Sequence, residues 1–248
     1  AYHCALEYCK ERLQGRDLLS KDPTEPQIPI ICHSDVRAML LKQKAFVEGM
    51  ISLILYVAKL ADHQEHGTDE KLRERCRQMI EVITPCCKAH GSDGAFQSII
   101  QAIQCYGGSG FCEEYPVAQM LRDNKVFSIY EGANGIQAMD LLGRKVPLEN
   151  GGAVRKIMKA MSMTVEEAEG LEAIADIKEK FVAAQAAAGE TLMHLAGVGM
   201  SGDIPLYICN ATAFLEMFSQ LLIGWQWLVQ ATVAQKALDA GKPGPDFY

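Results

Sequence analysis

Helical periodicity is the feature that most restricts what this chain can fold into. Apolar residues recur at helical spacing in almost every segment, and no stretch alternates as a strand would. The longest such run carries Val36, Leu40, Val47, Ile51, Ile54, Leu55 and Ala58, which together cover all sides of one helix. All-round apolarity predicts burial on several sides, as at the centre of a bundle. The expected fold is therefore all-α, an up-and-down helical bundle. The first helix is already under way at the first residue: Tyr2, Leu6, Cys9 and Leu13 form one stripe, no cap residue precedes them, and no Met opens the chain. The chain is accordingly expected to be a product lacking an N-terminal part.

Punctuation residues divide the rest. A Pro- and Asp-rich loop is expected over residues 20–29, with Ser34 placed to cap the next helix and Gly67 to end it. Thr68, Asp69 and Glu70 start another helix, expected to run through Ile83 with Pro85 disturbing it. Gly91 is read as a break before a further helix over residues 95–106. Beyond Lys145, the residues Pro147, Asn150, Gly151 and Gly152 read as a linker. Thr164 and Glu167 match a capping box. Ile174, Ile177, Phe181, Ala184, Ala188, Leu192 and Leu195 then keep helical spacing. Gly199 and Gly202 mark a turn, and Asp203 can cap a last helix with Pro205 in its first turn. The expectation is a bundle over residues 1–146 and an additional helical hairpin over residues 147–248.

Composition excludes several functions. At 248 residues and 49% hydrophobic content the chain can bury a sizeable core, in one large or two smaller domains. Its net charge is -7 and it has no basic block, which disfavours nucleic acid as a partner. Nine cysteines, an odd number with no CxxC, disfavour a disulfide framework or zinc site and point to a reducing, cytoplasmic compartment. No signal peptide opens the chain. Residues 204–234 are strongly apolar, but Asn210, Glu216, Gln220, Gln226 and Gln230 interrupt them, as expected of a buried core helix and not of a membrane span. His63, Glu65 and His66 lack further ligands for a metal. His33 and His194 read as structural or exposed.

The densest chemistry lies in residues 104–137, QCYGGSGFCEEYPVAQMLRDNKVFSIYEGANGIQ. Gly107, Gly108 and Gly110 follow a helix. They suit either a C-cap with a tight turn or a backbone that approaches a ligand without a Cβ in the way. The spacing is not a dinucleotide fingerprint after a strand. Glu131 precedes an amphipathic segment over residues 136–146. It is either an acid favoured at a helix start or a general base, and a base would need partial shielding from water. Arg122 and Asp123 read as a structural ion pair. Arg12, Gln14 and Arg16 suit phosphates or a solvated helix end.

In combination, these pieces resemble the C-terminal half of an acyl-CoA dehydrogenase. The matching segments are EYCKERLQG (7–15), PIICHSDVRAMLL (29–41), QCYGGSGFCEEYP (104–116), RDNKVFSIYEG (122–132) and NGIQAMDLLGRKV (134–146). Residues 147–248 resemble the extra helical region of a longer-tailed branch that includes 3-methylmercaptopropionyl-CoA dehydrogenase. The resemblance implies FAD as cofactor and an acyl-CoA thioester as substrate. A carboxylate removes the α-proton and a hydride leaves the β-carbon for the flavin. It implies Glu131 as the catalytic base, with its own backbone N–H helping to bind the thioester oxygen, and places Tyr130 and Gly132 at the substrate. Arg12 and Gln14 match positions that touch the flavin pyrophosphate of a neighbouring subunit. Gln104, Gly107 and Gly108 match the segment that embraces the FAD adenosine part. Electron-transfer flavoprotein is the implied electron acceptor, and a homodimer or homotetramer the implied assembly. Two positions depart from the family pattern: Ala133 stands where a Thr is usual, and Gly15 where a Phe is usual. A non-catalytic oligomerisation scaffold, or a related flavoprotein acting on a non-thioester substrate, are the alternative readings.

Overall fold

The computed structural model of the chain describes residues 1–17, 19, 22, 24–242 and 244. Ser20, Lys21 and Pro23 of the expected loop lie outside them. Among the described residues the regular structure is helical, and the β pairing is one isolated antiparallel bridge between Leu13 and Pro29. The chain divides into two compact units: residues 1–48 with 91–131, and residues 49–90 with 132–248.

The first unit holds α1 (Tyr2–Glu11), the start of α2 (Ser34–His66), the end of α3 (Glu70–Tyr106) and α4 (Pro116–Lys125). Its core joins Ala5 and Cys9 of α1, Val36 and Leu40 of α2, Ala102, Cys105 and Tyr106 of α3, Val117 of α4, and Ile30. The pairs four residues apart put each helix's small apolar stripe on a single face. Within this unit, α3 packs closely on α2: a Cβ at Gly94 would lie 2.1 Å from the Phe46 ring.

The second unit is built round α9 (Ala211–Asp239), which buries Phe214, Leu215, Phe218, Leu222, Trp225 and Leu228. Against it stand α5 (Asn134–Asp140), a π-type turn (Leu141–Lys145), α6 (Leu148–Glu167), α7 (Ala175–Met200) and α8 (Ile204–Cys209). Met79, Val82, Ile83 and Cys86 of α3 and Leu53 of α2 are also fully buried here. No helix among the described residues is long and apolar enough to cross a membrane.

Five sequence expectations need correction. The segment expected to break at Pro85 and Gly91 is one 37-residue helix. Pro85 loses a backbone donor, but Val82, Ile83 and Cys86 beside it are fully buried, and that packing outweighs the local cost. The helix predicted to be buried all round, α2, is not: Ile51, Ile54 and Leu55 are 52%, 50% and 64% exposed, and the middle of α9, residues 221–232, is the more enclosed stretch. Thr164 does not cap a helix. It lies near the end of α6, where its Oγ1 accepts a 2.8 Å bond from the buried Trp225 Nε1. The predicted linker does hold a turn, with left-handed backbone at Glu149, Asn150 and Gly151, but α6 follows it directly. Asp203 caps as expected, accepting from the Leu206 N–H at 3.0 Å, yet the helix it starts is the six-residue α8 and not the last one.

Candidate functional site

The corner at the end of α1 is braced by backbone. The Arg12 N–H closes α1 on the Tyr8 carbonyl at 2.9 Å. The next residues then pair with the segment before α2: Ile30 N–H to Arg12 carbonyl at 2.8 Å, Gln14 N–H to Ile28 carbonyl at 3.0 Å, and Ile28 N–H to Gly15 carbonyl at 3.1 Å. The His33 ring N–H donates to the Gln14 carbonyl at 2.8 Å, so His33 is structural, as one of its two readings held. These bonds use main chain and leave the side chains of Arg12 and Gln14 exposed. Gly15 has φ +72°, and a Cβ there would crowd the His33 ring at 3.1 Å.

The end of α3 meets this corner through a shared core. Tyr8 stacks on Tyr106 at 4.1 Å between ring centroids, Tyr115 meets both edge-on, and the Tyr106 hydroxyl donates to the Cys4 carbonyl at 3.0 Å. The Cys9 and Cys105 thiols touch, and burial first, then Cys105, pushes the Cys9 thiol up to about 12. Beyond Tyr106 a 3-10 turn spans Gly107–Phe111, and its glycines exist for different reasons. Gly107 takes φ +60°, which disfavours any side chain. A Cβ at Gly110 would lie 2.8 Å from the Ile103 carbonyl oxygen. At Gly108 neither reason applies: its φ is not left-handed and a Cβ would meet nothing within 4 Å. The chain's own fold does not require glycine there, so the open backbone is available to something else. Gln104, Gly107 and Gly108 are all exposed. Tyr8, one turn before Arg12 on α1, and Tyr106, just before this turn, share that core.

Tyr130 and Glu131 stand on a different loop. After α4 a short 3-10 turn spans Val126–Ser128, and the Tyr130 N–H returns to the Val126 carbonyl at 3.2 Å. Glu131 then takes φ +55° and Gly132 φ +87°. Left-handed backbone is unusual for glutamate and costs about 1–2 kcal/mol relative to a right-handed conformation. Phe127 and Tyr130 stack obliquely at 5.6 Å, and with Ile129 they give the loop an apolar surface. Glu131 itself is exposed, so the described residues do not supply the shielding that a strong base calls for. The residues after it are fastened to α3. Lys88 Nζ donates to the Gly132 carbonyl at 2.6 Å and to Asn134 Oδ1 at 2.8 Å, while Asn134 Nδ2 donates to the Ala89 carbonyl at 3.2 Å.

Sequence reasoning passed over Lys88 and Asn134. The available signal was a lone lysine between Cys87 and Ala89, on a helix turn otherwise destined for the core. The expected Arg122–Asp123 pair is also corrected: Arg122 lies 3.7 Å from Glu113 instead, because neighbours in a helix point about 100° apart. A separate open groove of about 870 Å³ in the second unit, lined by Gln64, Arg73, Arg75, Arg77 and Lys156 among others, contains none of the sequence-derived site residues. No group of three or more potential metal ligands occurs among the described residues.

Comparison with known proteins decides the family. The profile described as "Acyl-CoA dehydrogenase, C-terminal domain" matches residues 1–146, more than half of the chain. The chain belongs to the acyl-CoA dehydrogenase family. A second profile, "Acetyl-CoA dehydrogenase C-terminal like", matches residues 156–248. The broad-specificity linear acyl-CoA dehydrogenase FadE5 of Mycobacterium tuberculosis is 34% identical over 100% of this acyl-CoA dehydrogenase chain and 42% of its own length. The 3-methylmercaptopropionyl-CoA dehydrogenase of Ruegeria pomeroyi is 34% identical over 97% of the chain and 40% of its own. The chain therefore spans about two fifths of these curated relatives. In fold it resembles the crystal structure of Caenorhabditis elegans ACDH-11 in complex with C11-CoA, with a TM-score of 0.72 over 92% of this chain and 36% of that one, at 18% identity.

Proposed function

We propose that this chain is the C-terminal part of an FAD-dependent acyl-CoA dehydrogenase in which Glu131 removes the α-proton of an acyl-CoA thioester. The observation that carries the reading is the backbone at Glu131. A glycine would take φ +55° at no steric cost, and the chain nevertheless presents a carboxylate there. An outlier held against its local preference is a sign of use. Next to it in the chain, the rings of Phe127 and Tyr130 pack into an exposed apolar surface suited to an acyl chain, and Tyr130 and Gly132 would flank the reacting carbon.

FAD, when bound, supplies the two-electron acceptor. The residues present fit it: the open backbone at Gly108 and the left-handed Gly107 admit close approach, and Gln104 stands exposed one turn earlier on α3. They would lie along its adenosine part, and Arg12 and Gln14 would hold its pyrophosphate from the braced loop. Ala133 offers no hydroxyl at the position where the family usually has one. The exposed apolar residues of α2 support assembly with further polypeptide, in a homodimer or homotetramer. Electron-transfer flavoprotein in the cytoplasm is the proposed acceptor.

The test uses the intact enzyme. Glu131→Gln keeps its flavin but loses α-proton abstraction by ~10²–10⁴-fold, read as the rate at which flavin bleaches on mixing with acyl-CoA without oxygen. A rate near that of the parent enzyme would remove Glu131 from the role.

A further inference from the structure

We infer that Lys88 is a positioning residue for Glu131, acting through the turn that follows it. The inference rests on Glu131 as the base and adds what holds that base in place. Three bonds join residues 132 and 134 to two consecutive residues of α3: Lys88 Nζ to the Gly132 carbonyl at 2.6 Å, Lys88 Nζ to Asn134 Oδ1 at 2.8 Å, and Asn134 Nδ2 to the Ala89 carbonyl at 3.2 Å. They form a closed circuit, since the side chain that accepts from Lys88 donates back to the residue beside it. Lys88 is half-buried, next to the buried Ala89 on a 37-residue helix, so the clamp is anchored on a rigid element. Charge-assisted bonds of this kind are about twice as strong as neutral ones.

The circuit begins one residue after Glu131. Glu131 and Gly132 are successive left-handed residues, and that pair sets where the carboxylate points. Nothing in glutamate's own preferences holds φ at +55°. An anchor on the Gly132 carbonyl fixes the far side of the pair and denies the loop its return to right-handed backbone. Lysine suits the task because it is a donor with several protons and no acceptor of its own. The two oxygens it binds are a main-chain carbonyl and a side-chain amide oxygen, both neutral.

The experiment uses the intact, flavin-loaded enzyme with butyryl-CoA as the probe. Lys88→Met keeps the length of the apolar stem and removes the ammonium. Its flavin content and butyryl-CoA affinity are expected to stay within about threefold of the parent, while the bleaching rate falls by about 10–100-fold, the loss that a misplacement near 1 Å brings. Hydrogen exchange of the peptide over residues 129–136 is expected to quicken in the same variant. Lys88→Ala should recover rate on adding n-propylamine but not n-propanol, which a merely structural role would not produce. Should Lys88→Met fail to fold, Asn134→Ala removes one arm of the circuit and is expected to give a smaller loss of the same kind. An unchanged bleaching rate and unchanged exchange in the folded variants, with Glu131→Gln inactive, would overturn the role of Lys88 and leave the base intact. A normal rate in Glu131→Gln would instead remove the base, and the positioning role with it.

Discussion

At the scale of single residues, Gly94 and Gly108 look alike in sequence and differ in what they meet. A side chain at Gly94 would run into the Phe46 ring, whereas one at Gly108 would enter open space. Gly94→Val in the intact protein is therefore expected to lower unfolding free energy by about 1–3 kcal/mol through overpacking, measured by chemical denaturation. Gly108→Ala should leave the unfolding midpoint unchanged while the protein retains less FAD through purification, read from its visible absorbance. The Gly-Gly pattern in the sequence announced a turn and a possible ligand approach. It could not say which glycine served conformation, which served packing and which served neither, because those reasons depend on Ile103 and on empty space around position 108. Glu131 was legible as a carboxylate in a telling context. Its left-handed backbone and the bond from Lys88 to the next residue, Gly132, were not, since residues 88 and 132 lie far apart in sequence and meet only through tertiary structure.

Among elements, the helices were read well where their own periodicity decided them, as for α7. They were misread where packing overrode a local signal. Pro85 and Gly91 are breakers by propensity, and α3 continues through both because fully buried neighbours hold it. Thr164 shows the same limit. The pattern with Glu167 suggests a cap, but the hydroxyl ties α6 to α9 by accepting from Trp225. Thr164→Val keeps shape and removes that acceptor, leaving a buried indole N–H without its partner. The expected cost is about 1–3 kcal/mol, seen as a lower denaturant midpoint with an unchanged slope. The opposite error was made for α2. Its apolar residues point in all directions, but Ile51, Ile54 and Leu55 remain exposed in this chain.

For the whole molecule, the all-α class followed from periodicity alone, while the family came from short motifs in the right order. The chain spans 42% and 40% of the two relatives described above, and the residues assigned here to FAD are few and exposed. A polypeptide of these 248 residues alone is accordingly expected to be helical by circular dichroism and to carry far less than one flavin per chain after gel filtration. Stoichiometric yellow protein would mean that this corner binds FAD unaided. The placement of aromatic rings gives such experiments a tool. Both tryptophans, Trp225 and Trp227, lie on α9, whereas the stacked pair Tyr8 and Tyr106 lies in the other unit. Indole fluorescence thus watches the second unit alone while far-ultraviolet dichroism follows the helices of both, so an unlabelled sample reports whether the units melt together or in turn.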